Sequence, residues 1–558
     1  MPESTIGRGI RRREFLKLGT AAAAWGLLQA CAPAAPPPAT SAPASTAAKP
    51  AAQATTAPAP APAATVAATQ APAAPKPTAG PKRGGTITTA QTDTFYTFDP
   101  YQRNWYRVRR TLYNSLAHYD QNLTLQPELA TKWDVSPDGK TITFKLREDV
   151  KYHSGRPFTS EDMKFSLERA ATEELVLQRP IYQTIKGMET PDKYTFVIKF
   201  DAPNAGVYDL IDATHAIDKE TYKDFANTGI GTGPFKVEKF VPNDRFEAVA
   251  FKDYWDKGKP YCDRYVSRLI PDATALTVNL ESRAIDAAFR SSYLDAVRLK
   301  GSGGKFVVDM GPGGENVFDV GINTKLAPFT DKRVRQAVAW CVDRARFAKT
   351  VIQGLTEPTC LIWPPSSWAY VKDLQGKIGY DLEKAKALLK EAGLEKGFET
   401  EILTASKRSF GYGDLAIILQ ADLAKVGIKA KVSDVEVAQY DARTQKGDIA
   451  ILAHVYGRAN LDPVTTLTGA KAWFTEKEKG WTHFESDEYD KLKVQLATTL
   501  EREKRLPIVR RIQELALDEC FTIPVAEGPV PWAMIGYVKN WTVDMQNNPY
   551  LGEVWLDK

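Results

Sequence analysis

Residues 140–169 read KTITFKLREDVKYHSGRPFTSEDMKFSLER. Ile142, Phe144 and Leu146 alternate with polar residues, which predicts a half-buried strand. Ser136-Pro137-Asp138-Gly139, just before it, has turn chemistry, with Pro second and Gly fourth. His153-Ser154-Gly155-Arg156-Pro157 reads as an exposed loop. Thr159 and Asp162 are spaced for a capping box, and Met163, Leu167 and Ala170 then recur at helical spacing. The order is turn, strand, loop, capped helix, with no complete catalytic constellation.

Outward from this stretch, Arg83-Gly84-Gly85-Thr86-Ile87 opens the folded body and Asp99-Pro100 closes its first segment. Tyr113-Asn114-Ser115-Leu116 and Pro127-Glu128-Leu129-Ala130 follow. Tyr194, Phe196, Ile198 and Phe200 share one strand face after a turn at Thr190-Pro191-Asp192-Lys193. Gly231-Thr232-Gly233-Pro234-Phe235 permits close backbone approach. It lacks the Lys-Ser/Thr pair and spacing of a phosphate loop. Thr330 is placed to cap a helix with an apolar stripe of Val334, Val338, Cys341, Ala345, Ala348 and Ile352. Asp381 begins a further helix ending near Gly393. Residues 449–455 read as a buried strand leading into 456–463.

These segments resemble the family 5 extracellular solute-binding proteins, the dipeptide, oligopeptide and nickel receptors of ABC importers. The family's F-x-L-R strand end matches Phe144-Lys145-Leu146-Arg147, and its V-K-F-H-x-G-x-P loop matches residues 150–157. Its T-x-E-D-V-x-F-S helix start matches residues 159–166. Ser154 stands in place of a common Asp and Met163 in place of a common Val. Arg333-Val334-Arg335-Gln336-Ala337 and Phe521-Thr522-Ile523-Pro524 extend the likeness over residues 83–558. The resemblance implies a two-lobed α/β periplasmic-binding-protein fold, type II and cluster C-like, with a subdomain inserted in the first lobe. The expected division is 83–270 for lobe 1, 271–490 for lobe 2 and 491–558 for the return. The crossings are expected near 266–275 and 485–500. The implied role is capture of a peptide or peptide-sized solute for an ABC permease and its ATPase subunits, by a monomeric receptor that is not an enzyme. An oligosaccharide or anionic-solute receptor, or a sensor or chaperone on the same fold, are the alternatives.

The 558 residues are 43% hydrophobic and 25% charged, with a formal charge of +5. That suits a multi-domain globular body and gives no reason to invoke nucleic acid. Residues 1–30 read as an export signal: Arg12-Arg13-Glu14-Phe15-Leu16-Lys17 has twin-arginine character, and the apolar run 18–28 is too short for a permanent span. Leu28-Gln29-Ala30-Cys31 resembles a lipobox, which would make Cys31 a lipidated amino terminus. Residues 31–82 then form a lipid-anchored Ala/Pro/Thr tether without the apolar groups needed to offset ordering. The expected location is the outer face of the cytoplasmic membrane.

No two of the five histidines have metal-ligand spacing, no G-x-S-x-G is present, and no cofactor is implied. Four cysteines beyond Cys31 permit up to two disulfides in three full connectivities. Aromatic candidates for a cleft are Trp105, Tyr106, Trp363, Trp368 and Tyr370. Tyr412, Tyr456, Trp473 and Trp532 join them, with Tyr456 foremost because it lies where a buried strand ends.

The peptide receptors of this family commonly place an Asp four residues before the Pro of a late motif, against the peptide ammonium. Here residues 456–463 read YGRANLDP, so Ala459 occupies that position. Arg458, Asn460 and Asp462 are the polar candidates beside it. Arg458 suits a carboxylate, phosphate or sugar oxygen. The expectation is a ligand not held by a free amino terminus.

Overall fold

The computed structural model describes residues 80–558 apart from 96, 102–106, 108, 121–123, 173–181 and 409. The export signal, Cys31, nearly all of the tether, Trp105 and Tyr106 lie outside the described residues.

Two mixed sheets carry the body. The first has seven strands in the order Phe306–Asp309, Trp532–Ile535, Ala287–Phe289, Thr86–Gln91, Arg264–Leu269, Arg245–Ala250, Phe235–Val241. Thr86–Gln91 pairs in parallel with both neighbours. The second has five strands in the order Lys429–Asp434, Glu399–Thr404, Ile451–Gly457, Asn316–Ile322, Thr522–Glu527. A four-stranded antiparallel sheet, Ala130–Val135, Thr141–Leu146, Thr195–Phe200, Ile185–Asp192, shares one apolar core with the seven-stranded sheet. It is the inserted element of the first lobe. A separate core under helices Lys332–Cys341 and Tyr412–Ala424 makes the second lobe.

The quoted stretch folds as its pattern dictates. Ile142, Phe144 and Leu146 face the core at 5% exposure or less. Helix Ser160–Thr172 begins where the Asp162 carboxylate accepts from the Thr159 backbone N–H at 2.9 Å and from its hydroxyl at 3.0 Å. Arg156 spans Asp162 and Asp218. Burial pushes the His153 imidazole down to about 4. Its Nδ1 accepts from the Gly231 N–H at 3.2 Å, so the neutral ring donates from Nε2 to the Gly233 carbonyl at 2.9 Å. A Cβ on Gly231 would overlap the Leu112 carbonyl oxygen. The loop therefore docks on the glycine segment and serves the scaffold.

The chain crosses from the first sheet to the second between Asp309 and Asn316 and returns between Glu527 and Trp532. This differs from passages near 266–275 and 485–500. Ala287–Phe289 and Phe306–Asp309 belong to the first sheet, and strands of three and four residues carry too little alternation to be read. Thr522–Glu527 stays in the second lobe, with Val320 opposite Ile523. Its six residues are all buried, a pattern that identifies a strand but not its sheet. The 330–352 segment is two helices rather than one. Asp331, not Thr330, caps Lys332–Cys341, and Asp343 caps Arg344–Thr350. Cys262, Cys341, Cys360 and Cys520 are all buried free thiols.

Candidate functional site: the cleft between the lobes

A cavity of about 780 Å³ opens between the two lobes. A side chamber of about 300 Å³ shares Asp93, Arg290, Asn316, Arg408 and Val455 with it. The first lobe contributes Asp93, Arg107, Arg290, Met545 and Gln546. The second contributes an aromatic wall of Tyr412, Tyr456, Phe474 and Trp481, with His454 among them. These side chains come from loops, from strand Ile451–Gly457 and from the start of helix Tyr412–Ala424.

Charge in the cleft is paired but unbalanced. Arg107 meets Glu315 at 3.1 Å, Arg290 meets Asp93 at 2.7 Å, and Arg408 meets Asp441 at 2.5 Å. Arg107 also stacks on Phe289, 4.4 Å from its ring centre. Arg458 and Lys471 add two more cations to the lining. Among the described residues, five cationic side chains thus line the cleft with three carboxylates, each of the three held by an arginine.

Tyr456 lines the cavity with its ring while its hydroxyl donates to the Ile362 carbonyl at 2.6 Å. Trp473 packs edge-on behind it at 5.3 Å and is itself buried in the core. Arg458 lines the cavity in a left-handed backbone conformation, φ 72°. Asn460 lines it too and donates across the lobe seam to the Met545 carbonyl at 2.9 Å. Tyr412 lines it from the first turn of its helix, and burial holds its phenol above the usual range.

The other sequence candidates stand elsewhere. Asp462 caps helix Pro463–Gly469 and forms a double ion pair with Arg505. Trp363 is buried, donating to Thr466 Oγ1 at 3.2 Å. Trp368 stacks under Arg502 and Arg505, and Tyr370 packs on Cys360 and Leu361. Trp532 is a core residue of the first sheet, stacked on Phe289 and Trp541. Ala459 is fully buried.

Sequence reasoning missed Asp93, Arg107, Arg290, Arg408, His454 and Trp481. They lie in separate segments with no shared motif, so only the fold assembles them. Among the described residues, no three His, Cys, Asp or Glu side chains gather as metal ligands, and no helix is long and apolar enough to cross a membrane.

The chain is 30% identical over 469 residues to the dipeptide-binding protein of Escherichia coli K12, covering 78% of this chain and 86% of that one. It is 28% identical over 468 residues to heme-binding protein A of Haemophilus influenzae, covering 77% and 84%. The solved structure of AgaA from A. tumefaciens R10 with agropinic acid superposes with a TM-score of 0.72. That match is 25% identical and covers 85% of this chain and 99% of that one. The fold is the two-lobed α/β periplasmic-binding-protein type. Proteins of this family bind solutes without covalent catalysis. Residues 124–476 match "Bacterial extracellular solute-binding proteins, family 5 Middle", and the chain belongs to that family.

Proposed function

We propose that the chain is the extracytoplasmic receptor of an ABC importer. It captures a peptide-sized solute bearing a carboxylate or other acidic group and delivers it to a permease powered by partner ATPase subunits. The observation that carries this reading is the cleft's charge: among the described residues, five cations against three carboxylates, all three paired to arginines. A ligand ammonium would have to break one of these pairs, because burying an unpaired charge is costly. An acidic group instead meets guanidinium forks suited to it. The cavity has the volume of a small-molecule or peptide site, and its aromatic wall offers flat apolar surface for the ligand body. Residues 1–30 direct export, and Cys31 with the tether holds the receptor at the outer face of the cytoplasmic membrane.

The test is mass spectrometry of the solute that co-purifies with the receptor, then calorimetry with that compound. An acidic solute is expected, with binding weakened in R290A and R408A. Recovery of unmodified peptides whose binding is lost on amino-terminal acetylation overturns the reading.

A further inference from the structure

The two chain crossings between the lobes are tied to each other at both ends. At the first-lobe end Asp309 pairs with Trp532. At the second-lobe end the Gly528 N–H donates to the Asn316 carbonyl at 2.9 Å, and the Gly314 N–H donates to Glu527 Oε2 at 3.2 Å. A cavity of about 30 Å³ lies between these ties, lined by residues of both crossings, among them Met310, Gly313, Gly528 and Val530. Gly311, Gly313 and Gly314 all hold positive φ, so the first crossing has the backbone freedom that a hinge needs.

A third segment meets both crossings. In the turn 544–548 the Asp544 carboxylate accepts the N–H groups of Gln546 and Asn548 at 2.9 and 2.8 Å, and its other oxygen accepts from Arg110 Nε at 3.0 Å. Arg110 is buried beside the first-lobe core, so the turn is fixed to that lobe. Asn547 is fully buried at φ 63°. Its Nδ2 donates to the Val530 carbonyl of the second crossing at 2.6 Å, and Trp532 Nε1 donates to the Asn547 carbonyl at 3.2 Å. A carbonyl accepts only a donor, which fixes the orientation of the Asn547 amide. The same amide lies against the first crossing, where a Cβ on Gly311 would stand 3.2 Å from it. Met545 and Gln546 of this turn line the cleft, and the Met545 carbonyl accepts from Asn460 of the second lobe at 2.9 Å. Arg107 joins the Gln546 carbonyl to Glu315 of the first crossing.

We propose that Asn547 is the positioning residue of the interlobe hinge: it clips the first-lobe roots of both crossings to the turn that faces the cleft, so that lobe movement pivots beyond it, at Gly313-Gly314 and Gly528. This rests on the reading of the cleft as the solute site. A hinge is defined by confining the backbone change to a few residues. Loss of the clip releases Gly311 and Val530, adds pivots and widens the range of lobe angles. The turn that holds the hinge also carries the carbonyl that Asn460 reaches across the seam, so one rigid element joins the cleft wall to both crossings.

The experiment needs no solute. Spin labels at K300C on the first lobe and K446C on the second, both exposed positions, report the interlobe distance by double electron–electron resonance. The background carries C31S, and Cys262, Cys341, Cys360 and Cys520 are buried. N547G keeps the left-handed backbone without steric cost and removes the clip. Its distance distribution is expected to be about twofold wider than the parent's. Hydrogen exchange in strand Thr141–Leu146 and helix Lys332–Cys341 should stay as slow as in the parent. G311A presses a methyl on Asn547 and should shift the mean distance, and in the N547G background that shift should fall by about half or more. A measurement on the parent alone covers failure of a variant to fold: peptides holding Gly313, Gly314 and Gly528 should exchange about tenfold or more faster than the peptide holding Asn547. An N547G distribution as narrow as the parent's overturns the proposal, as does equal protection of those peptides. A wider distribution with faster exchange in the lobe cores is loosening of the lobes and overturns it too. Each of these failures leaves the acidic-solute reading standing, because no solute is present, and that reading falls only by the solute that co-purifies.

Discussion

The Asp209 carboxylate of the first lobe accepts the backbone N–H of Asp462 in the second lobe at 2.9 Å. The Tyr119 hydroxyl donates to its other oxygen at 3.0 Å. This latch is buried, and burial together with the neighbouring Asp462 carboxylate pushes the Asp209 carboxyl up. Asp462 is not among the residues that line the cleft. It caps a helix, pairs with Arg505 and supplies the N–H that ties the lobes together.

Ionised Asp209 is the costly form of the latch. Its folded-state value lies above its unfolded one, so its stabilising contribution is complete at low pH and is lost as pH rises through the folded value. D209N mimics the protonated group. It should be more stable than the parent protein at pH 8, by on the order of 1 kcal/mol, and similar at pH 4. D209A strands the Asp462 N–H and should cost about 1–3 kcal/mol. Thermal unfolding at both pH values, with small-angle scattering for lobe opening, measures both effects. A D209N less stable than the parent only at pH 8 would contradict the argument.

His153 titrates in the opposite sense. Its value is depressed from 6.5 to about 4 by burial, so the unfolded chain binds the proton first. Stability should be intact above pH 6.5 and fall as pH drops towards 4, by about 3 kcal/mol in total. H153Q should flatten this slope relative to the parent, as read from denaturant unfolding across that window. Equal slopes in the two proteins would rule His153 out as the cause.

Arg458 sits at φ 72°, where a side chain costs about 1 kcal/mol and glycine costs almost nothing. R458G should therefore be more stable than R458A by about 1 kcal/mol. A right-handed site would give the reverse order. Both variants should weaken binding of an acidic solute. Paired melting and calorimetry separate the backbone effect from the charge effect.

Two glycines of the scaffold differ in what surrounds them. G231A drives a methyl into the Leu112 carbonyl and should cost more than about 3 kcal/mol or abolish folding. Gly155, at φ 89°, faces open space, so G155A should cost only backbone strain, about 1 kcal/mol. Comparable losses in chemical denaturation would mean that the 231–233 segment can move away from Leu112.

Local pattern alone determined the strand-loop-helix of 140–169, the inward face of Phe196, Ile198 and Phe200, and the helix begun at Asp381, because period and capping act over a few residues. The same local signals carried the family likeness, since the residues that dock His153 on Gly231 are scaffold contacts tied to the fold. Tertiary structure decided the lobe crossings, because Ala287–Phe289 is too short to show a period and the buried run Thr522–Glu527 fits either sheet. It also decided the site. Asp93, Arg107, Arg290 and Arg408 look like ordinary surface charges in the chain, and five of the proposed tryptophans and tyrosines, Trp363, Trp368, Tyr370, Trp473 and Trp532, went to packing. A binding cleft is made of residues far apart in sequence that acquire meaning only from convergence, and no local periodicity records which of them will meet.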